Sequence, residues 1–148
     1  MTMWEKLLKT LAAVVGAIAG FFGEWTILLT ALCLFMSIDF LTGWIVAKKG
    51  KSPKSETGGL SSKAGFDGLI RKFFIILVVL VATILDRVAG NQTAIFQAAT
   101  CCWYIANEGL SIIENVGLMG VKVPAILAKV LDALKKNGDE PPDGAKMA

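Results

Sequence analysis

The chain has 148 residues, enough for one domain, and 55% of them are hydrophobic against 18% charged. Its mean hydropathy of +0.63 is too high for an ordinary soluble domain of this size. Lys and Arg total 15 and Asp and Glu 12, so the net charge is only +3, and the basic residues sit beside long apolar runs rather than on a soluble face. That placement argues against nucleic acid as a partner. There is no histidine, which removes the usual general base and the commonest metal ligand.

Residues 10–23 (TLAAVVGAIAGFFG) are uncharged and apolar. A hydrocarbon core needs about 20 helical residues, so this run spans only with Leu7, Leu8 and the stem of Lys9 included, giving a first span of about 7–23. Two other readings are open: a signal peptide cut after Ala17-Ile18-Ala19, or a helix lying flat on the membrane. Ala12, Gly16 and Gly20 form a row of small residues that would let helices approach closely in lipid. Scattered small residues in an apolar helix would look the same.

A polar break at Glu24-Trp25 precedes a second span over 26–47, which ends at Lys48-Lys49. Its one charge, Asp39, lies nine residues before Lys48, roughly 13 Å along a helix. An ionised carboxylate at that depth costs about 2.5–3.5 kcal/mol on insertion scales, so it requires a partner, a proton or water. Thr42 and Gly43 lie one turn on, on the same face.

Residues 48–72 carry Lys48, Lys49, Lys51, Lys54, Lys63, Arg71 and Lys72 against Glu56 and Asp67. A basic loop between two membrane-length runs is retained in the cytoplasm, and this fixes the orientation. Ser61 or Ser62 is placed to cap a short helix before the third span. Gly50-Lys51-Ser52 lacks the glycine a phosphate loop needs five residues earlier, where Ile45 stands.

The third span, about 70–88, has the almost purely apolar centre FFIILVVLVATIL and suits a lipid-facing helix. After a short outer turn, in which Asn91-Gln92-Thr93 is a weak glycosylation match, the fourth span covers 93–113. Gln97, Cys101, Tyr104, Glu108, Ser111 and Asn115 recur at spacings of 4, 3, 4, 3 and 4, which gathers them into one polar stripe. The stripe either packs against neighbouring helices or lines water in an oligomer. Cys33, Cys101 and Cys102 all lie in apolar runs and read as small packing residues.

Residues 124–136 (PAILAKVLDALKK) form an amphipathic helix, with Leu127, Val130, Leu131 and Leu134 on one face and Lys129, Asp132 and Lys136 on the other. Such a helix lies on a membrane surface or packs on a partner protein. Asn137-Gly138 is expected to end it, and residues 137–148 read as a polar, disordered tail. The fold class is therefore an all-α integral membrane protein, in one domain over 1–136. It has four spans, both termini cytoplasmic, and a C-terminal amphipathic surface helix. Of the 15 basic residues only Arg87 is then left outside.

In order and spacing, several segments resemble the toxin secretion/phage lysis holins. They are Asp39–Gly43 (DFLTG), Leu60–Leu69 (LSSKAGFDGL) with Arg71-Lys72, Tyr104–Asn115 (YIANEGLSIIEN), and the Gly-Val-x-Val-Pro at Gly120–Pro124. The likeness covers about residues 27–136. It implies a small protein of the bacterial cytoplasmic membrane that assembles with copies of itself and opens lesions. The released cargo would be an endolysin or a toxin. An antiholin is an implied partner, and no cofactor is implied. On this reading Ala12, Gly16, Gly20, Asp39 and Gly43 pack helices or protomers together. Asp39 and Glu108 would hold those contacts through Lys63, Arg71 or Lys72.

Two other functions share these features. A small ion or solute transporter acting as a dimer would also carry intramembrane carboxylates, but the chain has no internal repeat and no broken helix pair. A non-pore antiholin or membrane adaptor would use the basic loop and last helix to hold a partner. No nucleophile elbow or metal-spaced cluster suggests an enzyme.

Overall fold

The computed structural model describes residues 2–23 and 25–139. Glu24 of the expected break and the tail from residue 140 onward lie outside the described residues. Five helices follow one another: α1 (Met3–Phe22), α2 (Ile27–Lys48), α3 (Ser62–Val88), α4 (Ile95–Leu118) and α5 (Ala125–Asp139). Among the described residues, α2 and α3 are the two helices long and apolar enough to cross a bilayer by length and composition.

The helix starts follow local chemistry. Thr2 and Glu5 form a reciprocal capping box at α1, which begins four residues before the span expected there. Thr26 caps α2 through the amide of Leu29. Ser61 caps α3 through the amide of Ala64. The short helix expected after that serine is continuous with the third span, because nothing between Leu69 and Phe73 breaks it. The loop from Lys49 to Leu60 folds on itself. The Ser52 amide donates to the Gly58 carbonyl at 2.8 Å, and Gly58 adopts φ +72° directly over the Gly50 carbonyl, a fit only glycine allows.

α4 is the central element, packing on α2, α3 and α5, while α2 and α3 scarcely touch each other. The apolar core, Leu29, Leu32, Met36, Ile75, Val79 and Cys101, fills the half of this arrangement away from the basic loop, together with Phe22 from α1. Cys101 is fully buried, in keeping with a packing role, and all three cysteines are free thiols. On α3 one stripe, Ile75, Val79, Ala82, Thr83 and Asp86, turns inward. Phe73, Phe74, Val78, Val81 and Leu85 stay exposed, as a lipid-facing helix requires. α1 rests on the others mainly through Ile18 and Phe22 near its end. Its Ala12, Gly16 and Gly20 are exposed, and no atom of another element lies over either glycine.

α5 departs from the expected membrane-surface position. It folds back antiparallel along α4, with Leu131 against Gly109, Asp139 accepting from the Trp103 indole N–H at 2.9 Å, and Lys135 over the Trp103 ring. This last-turn contact explains why the helix runs past Asn137-Gly138. Only Leu131 of its apolar face is buried; Leu127, Val130 and Leu134 remain exposed. Lys136 and Asp132 pair across one turn at 3.0 Å on the exposed side of α5.

Gly109 admits this docking. A Cβ there would lie 3.0 Å from both Leu131 methyls and 3.1 Å from the Phe35 ring. Gly109→Leu should therefore overpack the α4–α5 contact by about 1–3 kcal/mol. The expected result is a longer distance between spin labels at the exposed Ala99 and Ala133, with the helix content unchanged. An unaltered distance would show that α5 is held by other contacts.

Candidate functional site

Helix rise and face together bring three ionisable groups to one point. Asp39 lies nine residues before the end of α2, Lys72 ten after the start of α3, and Glu108 ten before the end of α4. At about 1.5 Å per residue all three stand roughly 13–15 Å from the ends that face the basic loop. Each also extends its helix's buried stripe: Leu32, Met36 and Asp39 on α2, Lys72, Ile75 and Val79 on α3, and Cys101, Glu108 and Asn115 on α4. The stripe that buries apolar side chains in the half away from the basic loop thus buries charge in the half next to it.

The Lys72 ammonium donates to Asp39 Oδ2 at 2.8 Å and to Glu108 Oε2. All three side chains are largely buried, at 16%, 11% and 3% exposure for Lys72, Asp39 and Glu108. Asn115 completes the network, its amide donating to Asp39 Oδ1 at 3.3 Å and to the Thr42 hydroxyl at 3.0 Å. Gly43 lies beside it, its Cβ position 3.7 Å from the Asn115 amide nitrogen. Buried ions are tolerated when paired and further hydrogen-bonded; all three are paired, and Asp39 meets the second condition through Asn115. Among the described residues no buried side-chain nitrogen or oxygen lacks a hydrogen-bond partner.

A second polar cluster sits at the opposite end. Ala94, the residue before α4, has φ 48° and gives no side-chain cap. Asp86 of α3 does that work from outside the helix. Its Oδ2 accepts from the Gln97 amide at 2.8 Å, and its Oδ1 accepts from the Phe96 amide at 3.0 Å and from Asn91 at 3.1 Å. A carboxylate at a helix N-terminus satisfies orphan amides and opposes the helix dipole. The Gln97 side chain then donates to the Thr83 hydroxyl at 2.8 Å.

The residues singled out in the sequence are distributed as follows. Gln97, Cys101, Glu108 and Asn115 of the polar stripe are buried against α2 and α3, with Tyr104 and Ser111 half-buried beside them. Within the protomer the stripe is therefore a packing surface. Lys72 alone of the three cations considered takes both carboxylates; Lys63 and Arg71 are exposed. Lys51 donates to the carbonyl of Leu118 at 3.3 Å, tying the basic loop to the end of α4, and Lys48 covers the Trp44 ring. Ala12, Gly16 and Gly20 contribute nothing to this site. Asp86 and Thr83 were not indicated by the sequence pattern. The signal available was a carboxylate at the end of one helix followed within ten residues by a helix start with no cap of its own.

Beside the ion network, a cavity of about 340 Å³ lies between α2 and α3, with α4 behind it and the loop at its mouth. Asp39, Lys72 and Glu108 line its depth, and Trp44, Lys54 and Arg71 line its outer part.

The model of the bacteriophage holin family matches residues 16–136, which leaves the first two-thirds of α1 and the last three residues of α5 outside it. An uncharacterized protein of Halalkalibacterium halodurans is 41% identical over 141 residues, covering 92% of this chain and 98% of its own. A 14.9 kDa protein of Clostridium perfringens is 40% identical over 113 residues, covering 76% of this chain and 80% of its own. A probable holin of Bacillus phage phi105 is 38% identical over 103 residues, 70% of each chain. No solved structure matches. A family model that takes in α2, α3, α4 and nearly all of α5 includes every residue of the buried ion network, and the chain belongs to the bacteriophage holin family.

Proposed function

We propose that this protein is a holin that assembles with copies of itself in the bacterial cytoplasmic membrane and opens lesions through which a cell-wall hydrolase or a toxin leaves. Membership of the holin family is the observation that carries this reading. Four spans with both termini inside would leave Arg87 as the one basic residue outside, provided that α5 leaves its seat along α4, where Lys135 reaches Trp103, for the cytoplasmic surface. The succession of α2, α3 and α4 around one core, with Lys51 reaching the end of α4, supports that arrangement.

Helices in lipid gain nothing from hydrophobic burial against each other, so association depends on close packing and polar contacts. Asp39, Lys72 and Glu108 serve that purpose inside the protomer. The unoccupied row Ala12, Gly16 and Gly20 offers a packing surface between protomers. Passing a folded enzyme requires a ring or raft of many copies, because one bundle of this size is too narrow.

Expression of the chain alone in bacteria should first depolarise the membrane and then release a folded cytoplasmic reporter. Depolarisation with the reporter retained would refute the large lesion.

A further inference from the structure

The charges around the cavity are arranged with polarity. Its depth holds Asp39, Glu108 and Lys72, which leaves one net negative charge. Glu108 is 2% exposed, and only its Oε2 is engaged by Lys72. Its other carboxylate oxygen accepts no hydrogen bond among the described residues and is not sealed off, and Glu108 is one of the residues that line the cavity. The outer part holds Lys54, Arg71 and Asp67, one net positive charge, and none of the three forms an ion pair among the described residues. The walls between, Phe40, Trp44 and Leu60, are apolar. The volume, about 340 Å³, lies in the range of small-ligand sites, roughly 300–1,000 Å³.

We infer that this cavity takes a zwitterion with a primary ammonium at one end and a phosphate at the other, the headgroup of phosphatidylethanolamine. The ammonium donates to the free Glu108 oxygen, and the phosphate lies between Lys54 and Arg71. A simple anion gains from the two outer cations but meets the negative interior. A quaternary ammonium carries no N–H to donate. The source is lipid because the cavity sits between two helices that scarcely touch, beside a basic loop of the kind that settles at the cytoplasmic leaflet. Where Gly65 and Gly68 face this region, a Cβ would meet nothing within 4 Å, so the backbone leaves room for an acyl chain to pass.

The test uses the full chain in nanodiscs of phosphatidylglycerol mixed with either phosphatidylethanolamine or phosphatidylcholine. Native mass spectrometry then counts the lipid kept after mild stripping. Phosphatidylethanolamine should be kept about tenfold over each of the other two. Arg71→Gln and Lys54→Gln, both outside the ion network, should lower that retention severalfold with unchanged circular dichroism. Glu108→Gln should lower it too, but it also disturbs the network, so the outer variants carry the test. Equal retention of phosphatidylglycerol, equal retention of phosphatidylcholine, or full retention by both outer variants would each overturn the site. Free glycerophosphoethanolamine should compete only weakly, since it has no acyl chains. Binding as tight as the lipid's would make the ligand a soluble one and overturn the lipid assignment. None of this depends on lesion formation, so the result stands whichever way the reporter assay falls.

Discussion

Lys72→Met should be among the most damaging single substitutions in the chain. It removes the one cation that bridges two buried carboxylates, at 11% and 3% exposure, and leaves them facing each other with no bridging charge. Breaking a buried ion pair from one side costs about 3–5 kcal/mol, because the remaining charge is stranded. In mixed micelles titrated with a denaturing detergent, the unfolding midpoint should fall by that amount, and membrane accumulation should fall with it. Removing all three charges together, as D39N/K72M/E108Q, should restore most of the loss, since a neutral network has nothing left to compensate. If the triple variant is as unstable as Lys72→Met, the damage comes from lost packing and the charge argument fails.

Asp86→Ala should produce the other large effect, at the opposite end of the bundle. Asp86 is 3% exposed and accepts three hydrogen bonds, two of them from the first-turn amides of α4. Ala94 supplies no cap in its place. Donors left without an acceptor in a buried setting cost about 1–3 kcal/mol, and the lost bonds are to a charged group, so a destabilisation of about 2–3 kcal/mol is expected. Hydrogen exchange localises it: the amides of Phe96 and Gln97 should lose protection before those in the middle of α4. Uniform loss along the helix would mean that Asp86 supports the whole bundle rather than one helix start. Asp86→Asn keeps one acceptor oxygen and should fall between the two.

Much of this fold is legible in the order of residues. Apolar length marks α2 and α3, and the Ser61-Ser62 pair marks the cap of α3, which Ser61 supplies. The 4-3-4 recurrence on α4 collects Gln97, Glu108 and Asn115 on one face, and that face is buried. The need of Asp39 for a partner also follows from sequence, because a lone carboxylate inside an apolar run is costly. Which cation answers it does not. Lys63, Arg71 and Lys72 are all near in sequence, and only the continuation of the Ile75–Val79 stripe back to Lys72 selects among them. The docking of α5 was hidden for a different reason. An amphipathic helix presents the same pattern to a lipid surface and to a neighbouring helix, and what decides here is the absence of a side chain at Gly109. Asp86 escaped notice because a cap supplied by another helix leaves no mark beside the helix it serves.

α1 stands apart from the rest in how it is held. Ile18 and Phe22 fasten it at one end, while Leu7, Leu8, Leu11, Val14 and Val15 stay exposed. In a four-span arrangement a rod held mainly at one tip takes its tilt chiefly from the thickness of the surrounding hydrocarbon. α2 and α3, braced against α4, have no such freedom. A change in bilayer thickness is therefore registered first as a leaning of the N-terminal helix, with the ion-paired core left as it was.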